Sequence, residues 1–234
     1  MKLFLSTLSI ALAAALSLTA CGGGDSPMPG ASGGPPMTVD ADGVSTFVAT
    51  TLNAALTALP VELVSAAEQA TLIYMREEEK LAHDVYAQFS TQYAANTQVF
   101  GNIAASELTH TESIRQLLVR YTLTDPAATT AAGVFQNATL QGLYTQLVAA
   151  GSVSYVEGLK IGAAIEELDM VDINTAMLQV DNLDIRLVYD NLLKGSRNHL
   201  RSYVKTLANL GVTYVPQYMA VAEYTAIVTT AIER

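Results

Sequence analysis

Tryptophan is absent from this chain, cysteine occurs once and histidine three times, and only 7% of its 234 residues are aromatic. A single cysteine excludes an intramolecular disulfide, a thiolate zinc cluster and a cysteine-ligated iron–sulfur centre. Basic residues are also scarce, 12 against 22 acidic ones for a net charge of -10. That balance supplies no basic stripe and excludes a nucleic-acid partner on electrostatic grounds. Strand-type alternation is nearly missing as well, which argues against a β-rich fold.

Half of the residues are hydrophobic, enough for one domain with a sizeable core. Lys2 precedes an apolar run from Leu3 to Leu18, a secretory signal layout too short for a comfortable membrane span. Leu18-Thr19-Ala20-Cys21 resembles the lipobox of bacterial lipoproteins. The resemblance implies cleavage before Cys21, lipid on that residue and a place in the cell envelope. Gly22 rather than Asp follows, so the periplasmic face of the outer membrane is expected in a cell with two membranes. A Gly- and Pro-rich stretch at 21–44 reads as a flexible tether. The expected plan is therefore a signal peptide at 1–20, the tether, and a helical domain at 45–234.

Helical periodicity and capping signals predict helices near 45–58, 65–94, 97–122, 139–149, 153–179, 182–210 and 221–232. Ser65 and Glu68 form a capping box in sequence, Asp125-Pro126 stops the third helix and Gly211 closes the sixth. Four of these helices are long, which predicts an all-α four-helix bundle with short accessory helices. The long segment between the third and fifth helices predicts one crossover along the bundle.

The polar residues that fall on apolar stripes carry the chemistry. Glu107-Leu108-Thr109-His110 sets a carboxylate and an imidazole at i and i+3, inside the stripe of Phe100, Ile103, Ile114 and Leu117. Glu166 lies near the centre of the stripe of the 153–179 helix and Asp169 near its edge. Ser196 and His199 fall inside the stripe of the 182–210 helix. The run Glu77-Glu78-Glu79 sweeps about 200° of its helix, so one of the three must approach the core, with Glu78 and Glu79 the candidates. Glu77 and Glu167 read as solvated. Burying Glu79, Glu107, Glu166 and Asp169 together requires cations or steeply raised pKa values. Two divalent ions would balance four carboxylates, and His110 and His199 would complete a mixed shell suited to iron, manganese or zinc.

Glu79-x-x-Ala82-x-x-x-Tyr86, Glu107-x-x-His110, Ala164-Ile165-Glu166 and His199-Leu200-x-Ser202-Tyr203 resemble the ligand pattern of ferritin-like proteins, especially the rubrerythrin branch. The segments Met75 to Tyr86, Ile165 to Asp169, Gly195 to Leu200 and Pro216-Gln217-Tyr218 are more closely similar to a prokaryotic ferritin-like family of unassigned function. The resemblance implies an antiparallel bundle around a di-metal carboxylate centre, iron first, acting on iron(II), oxygen or peroxide. Tyr86 would stand close enough to influence redox chemistry. The chain departs from the pattern where the fourth helix would offer Glu-x-x-His and has Ser196-Arg197-Asn198-His199 instead. Asp169, one turn after Glu166, is the expected replacement. No rubrerythrin-type cysteine-rich iron domain is present, so turnover would need an external electron donor. A homodimer is compatible with the sequence. The alternative is a non-catalytic bundle lipoprotein with a structural or interaction role.

Overall fold

The computed structural model describes residues 34–234. The signal segment, Cys21 and the tether up to residue 33 lie outside the described residues. Within them the chain folds as a helical bundle: a small antiparallel hairpin of β1 (Met37–Val39) and β2 (Ser45–Phe47), then α1 (Ala49–Ala58), α2 (Ala66–Gln92), α3 (Val99–Arg120), α4 (Ala138–Gly151), α5 (Tyr155–Met177), α6 (Leu183–Asn209) and α7 (Val221–Val228). No helix among the described residues is long and apolar enough to cross a membrane.

Short connections at 93–98 and 178–182 make two antiparallel helical hairpins, α2 with α3 and α5 with α6, and these are the principal packing partners. The hairpins meet through α2 against α5 and α3 against α6. The long crossover between α3 and α5 carries α4, which packs on α2 and α5. The core between the hairpins is built from Leu72, Val85, Phe89, Phe100, Ile114, Leu159, Ile173, Leu192 and Tyr203. Fully burying such side chains stabilises the fold by about 1.5–3 kcal/mol each.

The expected helix near 45–58 begins at Ala49, because the residues before it pair as a strand. Met37 stands opposite Phe47 and Val39 opposite Ser45. Met37, Ser45 and Phe47 point inward and Thr46 outward, the period-2 alternation of a half-buried strand. Residues 37–43 therefore belong to the folded domain, although their neighbourhood reads as tether by composition.

Two glutamates expected in solvent are buried, and both serve as anchors for loops. Glu77 is 2% exposed; its carboxylate accepts the backbone N–H groups of Gln136 at 2.5 Å and Asn137 at 3.0 Å, which fixes the start of α4. Glu167 is fully buried and accepts from the Tyr214 hydroxyl at 2.6 Å and from the backbone N–H groups of Gln217, Tyr218 and Met219. Carboxylates satisfied by this many donors tolerate burial. Glu68 does the same at the other end of the bundle. It completes the capping box with Ser65 and also accepts from Asp181 and Asn182, tying the start of α2 to the start of α6. Glu112 and Arg115 lie on the outer face and pair with each other at 2.6 Å.

Candidate metal centre

Four long helices deliver polar side chains to one level of the core. From α2 come Glu79 and Tyr86, from α3 Ser106, Glu107 and His110, from α5 Glu166 and Asp169, and from α6 Ser196 and His199, all of them buried. Glu107 is the hub. Its Oε2 lies 2.9 Å from Nδ1 of His110, and its Oε1 lies 2.8 Å from Nδ1 of His199. Glu79 approaches His110 Nδ1 from one side at 3.5 Å, and Glu166 approaches His199 Nδ1 from the other at 3.5 Å. The two imidazoles stack with ring centroids 5.3 Å apart and planes 18° from parallel. One ligand atom each from Glu107, His110 and His199 falls within a 4.8 Å span, close enough to hold a single ion in common.

The rear of both rings is held by two serines. Ser45 Oγ lies 2.8 Å from His110 Nε2 and 3.1 Å from His199 Nε2, and Ser106 Oγ lies 2.9 Å from His199 Nε2. Ser106 donates its hydroxyl hydrogen to the Ser45 carbonyl, and the two hydroxyl oxygens are 2.9 Å apart. With that hydrogen committed, Ser45 holds the only other one, and directing it to Ser106 makes both Nε2 atoms donors. Nδ1 of each ring is thereby turned toward Glu107. Gly195 permits the approach, since a Cβ there would stand 2.5 Å from His110 Cε1 and 2.8 Å from Ser45 Oγ.

Burial would lower the pKa of His110, but the charge of Glu107 and hydrogen bonds to Glu107 and Glu79 outweigh it and lift the group to about 9. His199 is lifted to about 10 by Glu107 and Glu166 against the same penalty. Burial would raise Glu107, yet the charges and hydrogen bonds of the two histidines hold it far below the usual carboxylate range. Glu79 has no such surplus of cations: burial raises it to about 8 despite His110. Asp169 is raised well above its ordinary value by burial and by the charges of Glu79, Glu107 and Glu166.

The donor set fits a cation. Oε1 of Glu79 and Oδ1 of Asp169 are buried without a hydrogen-bond partner, and both Nδ1 atoms face carboxylate oxygens. Two ligands about 2.1 Å from one ion and at right angles to each other are about 3 Å apart, which matches the gaps between Glu107 and the two histidines. Nitrogen and carboxylate donors of this kind suit iron, manganese or zinc.

Of the residues singled out in sequence, Glu79, Glu107, His110, Glu166, Asp169 and His199 come together here. Tyr86 joins them indirectly, donating to Oε1 of Glu166 at 2.7 Å and to the Gly162 carbonyl at 3.2 Å. His83 stays apart and pairs with Asp84 at 2.9 Å near the surface. Ser196 donates to Asp169 Oδ2, so the serine in the fourth helix holds the carboxylate of the third. Sequence reading missed Ser45 and Ser106. Ser106 had a signal, four residues before His110 on the same helical face, whereas Ser45 reaches the centre across 61 residues of chain and had none.

Residues 68–231 match a family described as an uncharacterized protein domain, DUF2202. The chain belongs to the DUF2202 family. The DUF2202 region contains every candidate ligand, while Ser45 enters the centre from outside it. A curated relative, the uncharacterized protein MJ0754 of Methanocaldococcus jannaschii, is 44% identical over 179 residues, covering 76% of this chain and 96% of the relative. The crystal structure of the hypothetical protein MJ0754 is similar with a TM-score of 0.72, covering 75% of this chain and 99% of that one.

Proposed function

We propose that this DUF2202 protein is a ferritin-like metal-binding protein with a di-metal carboxylate centre, iron first and manganese next for redox chemistry on iron(II), oxygen or peroxide, with zinc able to fill the same donors without redox activity. One observation carries the reading: a single buried carboxylate, Glu107, faces the Nδ1 atoms of two histidines from opposite oxygens, with Glu79 and Glu166 flanking it. Glu107 would offer one oxygen beside each histidine, with Glu79 flanking His110 and Glu166 flanking His199. Asp169 adds a fourth carboxylate, so two divalent ions are matched in charge.

Iron or manganese held by Glu79, Glu107, His110, Glu166, Asp169 and His199 would supply redox chemistry toward oxygen, peroxide or iron(II). The chain supplies position and environment. Ser45 and Ser106 fix the ring orientation of both histidines, the support that a metal-ligating imidazole needs behind it. Tyr86 holds Glu166 through its phenol, which stays protonated because burial and the Glu166 charge push its pKa well up. Tyr203 packs on Tyr86 at 5.4 Å and Phe100 on Tyr203 at 5.8 Å, closing one end of the centre with aromatic surface that excludes water. Electrons for peroxide reduction come from an external donor in this reading. The lipobox-like Leu18 to Cys21 supports anchoring at a membrane in the cell envelope.

The test is the metal content of the full chain and an anaerobic iron(II) titration, followed by oxygen or peroxide with near-ultraviolet absorption recorded. Close to two irons per chain and a new absorption on oxidation are expected. The double variant Glu107→Ala with His110→Ala should lose metal while keeping its helical circular dichroism. Unchanged metal content in that variant would place the site elsewhere, and a chain that takes up no metal would favour a structural role for the bundle.

A further inference from the structure

Glu78 is the buried carboxylate that the centre does not use. It is 4% exposed, and neither of its oxygens has a hydrogen-bond donor. Glu77, one residue earlier, is also buried, but its oxygens are taken up by backbone N–H groups. Burial raises the pKa of Glu78 well above its usual value, and the neighbouring carboxylates Asp172, Asp169 and Glu79 push it the same way. Each neighbour makes the burial of Glu78 more costly in the absence of a cation.

The helices explain the alignment. On α2, Thr71, Tyr74 and Glu78 recur at i, i+3 and i+7, and on α5 Asp169, Asp172 and Ala176 do the same. The two stripes face each other where α2 packs on α5. At the outer end, Tyr74 donates to Asp172 Oδ2 at 3.3 Å, and both residues wall an open surface cavity of about 460 Å³. Glu78 follows Tyr74 by one turn of α2 with Glu79 beside it, and Asp169 precedes Asp172 by one turn of α5, so both stripes continue from the cavity wall toward the centre. The opposite faces of the centre are blocked by the Ser45 hairpin and by the aromatic cluster of Tyr86, Tyr203 and Phe100.

We infer that Asp172 and Glu78 form a transit site for divalent cations, leading from the cavity between α2 and α5 to the metal centre. Asp172 captures the hydrated ion at the cavity wall, and Glu78 supplies oxygen ligands as water is shed, handing the ion to Asp169 and Glu79. Carboxylate oxygens suit hard or borderline divalent ions such as iron(II), manganese(II) and cobalt(II). An acidic path with low-dielectric walls raises the rate of cation capture, in general by about 10–10³-fold. The inference rests on the metal centre proposed above and adds the route by which that centre is filled.

Cobalt(II) is the probe, because its visible absorption reports entry into a nitrogen and oxygen ligand set. The full-length chain, freed of metal, is mixed with cobalt(II), and the rate and final amplitude are recorded for the wild type, Glu78→Gln, Asp172→Asn and Glu112→Gln. Glu78→Gln and Asp172→Asn are expected to load about tenfold more slowly, to the wild-type amplitude and the wild-type number of ions per chain. Glu112→Gln removes the same charge from the outer face of α3 and should load at the wild-type rate. Asp172 is half-buried at the cavity wall, so its variant carries the test even if the Glu78 variant folds poorly. Wild-type rates in both α2–α5 variants would overturn the route while leaving the centre intact. One ion fewer in Glu78→Gln would make Glu78 a resident ligand and overturn the transit role. A wild-type chain that takes no cobalt would overturn both the route and the centre.

Discussion

The Ser196 hydroxyl on α6 donates a hydrogen bond to Oδ2 of Asp169 on α5, and Oδ1 of the same carboxylate is left without a partner. In the proposed centre the fourth carboxylate would thus come from the helix next to the one where the ferritin-like pattern would place it, with Ser196 fixing its direction. Removing a supporting hydrogen bond behind a metal ligand typically costs 10–100-fold in affinity. Ser196→Ala should therefore weaken zinc(II) binding about tenfold by calorimetry. Asp169→Ala should weaken it further or lower the stoichiometry by one ion. Wild-type titrations from Asp169→Ala would remove Asp169 from the ligand set.

Gly195 is a helical position where alanine should help by about 1 kcal/mol on intrinsic propensity alone. The surroundings reverse the sign, because the added methyl would lie 2.5 Å from His110 Cε1 and 2.8 Å from Ser45 Oγ. Gly195→Ala should destabilise the chain by about 1–3 kcal/mol, the usual cost of overpacking, and should weaken metal binding by displacing the His110 ring. Gly142→Ala, in α4 with nothing within 4 Å of the new Cβ, should be neutral or stabilising. Thermal unfolding of the pair separates local propensity from the crowding at the centre. Equal shifts in both would contradict the close approach.

The helices were legible because their signals are local. The Ser65 and Glu68 capping box forms as the sequence spells it, and α2, α3, α5 and α6 begin and end within two residues of the expected limits. The inward carboxylates and histidines were legible for the same reason, since Glu107, His110, Glu166 and His199 sit on apolar stripes of period 3.6. Glu77 and Glu167 were misread because a carboxylate outside the stripe looks solvated unless a distant loop returns to cover it. The loops that do so, at 136–137 and 214–219, lie 50 or more residues away from Glu77 and close to 50 from Glu167. The β1–β2 hairpin was hidden by composition: a strand of three residues beside a Gly- and Pro-rich stretch gives too short a pattern to read. Its contribution to the centre, the Ser45 hydroxyl, follows from tertiary packing alone.

Glu167 anchors the segment that leads into α7, accepting from one phenol and three backbone N–H groups. Truncation leaves those donors unpaired in a buried place, where each costs about 1–3 kcal/mol unless water reaches it. Glu167→Ala should destabilise the chain by about 3 kcal/mol or more, and limited proteolysis should cut after residue 210 well before the bundle opens. Metal affinity should change little, since Glu167 points away from Glu107. A variant with wild-type protease resistance would show that Arg201 and Glu233, paired at 2.7 Å, hold the C-terminal segment without it.

The last prediction concerns pH, and three groups act in the same direction. In the metal-free chain His110 and His199 stand at about 9 and about 10, above their usual 6.5, and Glu79 stands at about 8, above its usual 4.5. A group whose pKa is raised by folding stabilises the fold fully below its unfolded value and loses that contribution as pH climbs through the folded value. The histidines therefore support the metal-free fold below about pH 6.5, and their support fades between there and about pH 10. Glu79 loses its share between about pH 4.5 and 8, where it becomes a buried anion beside Glu107. The melting temperature of the metal-free chain should fall steadily from neutral pH to pH 10. Metal replaces the protons on both Nδ1 atoms, so the loaded chain should show a much flatter profile. For the same reason metal binding at pH 7 should expel about two protons from the histidines and close to one from Glu79, and Asp169, raised well above its ordinary value, adds to the release. Zinc(II) calorimetry in buffers of different ionisation enthalpy measures that number directly. A slope of zero would mean that the Nδ1 atoms are not the ligands.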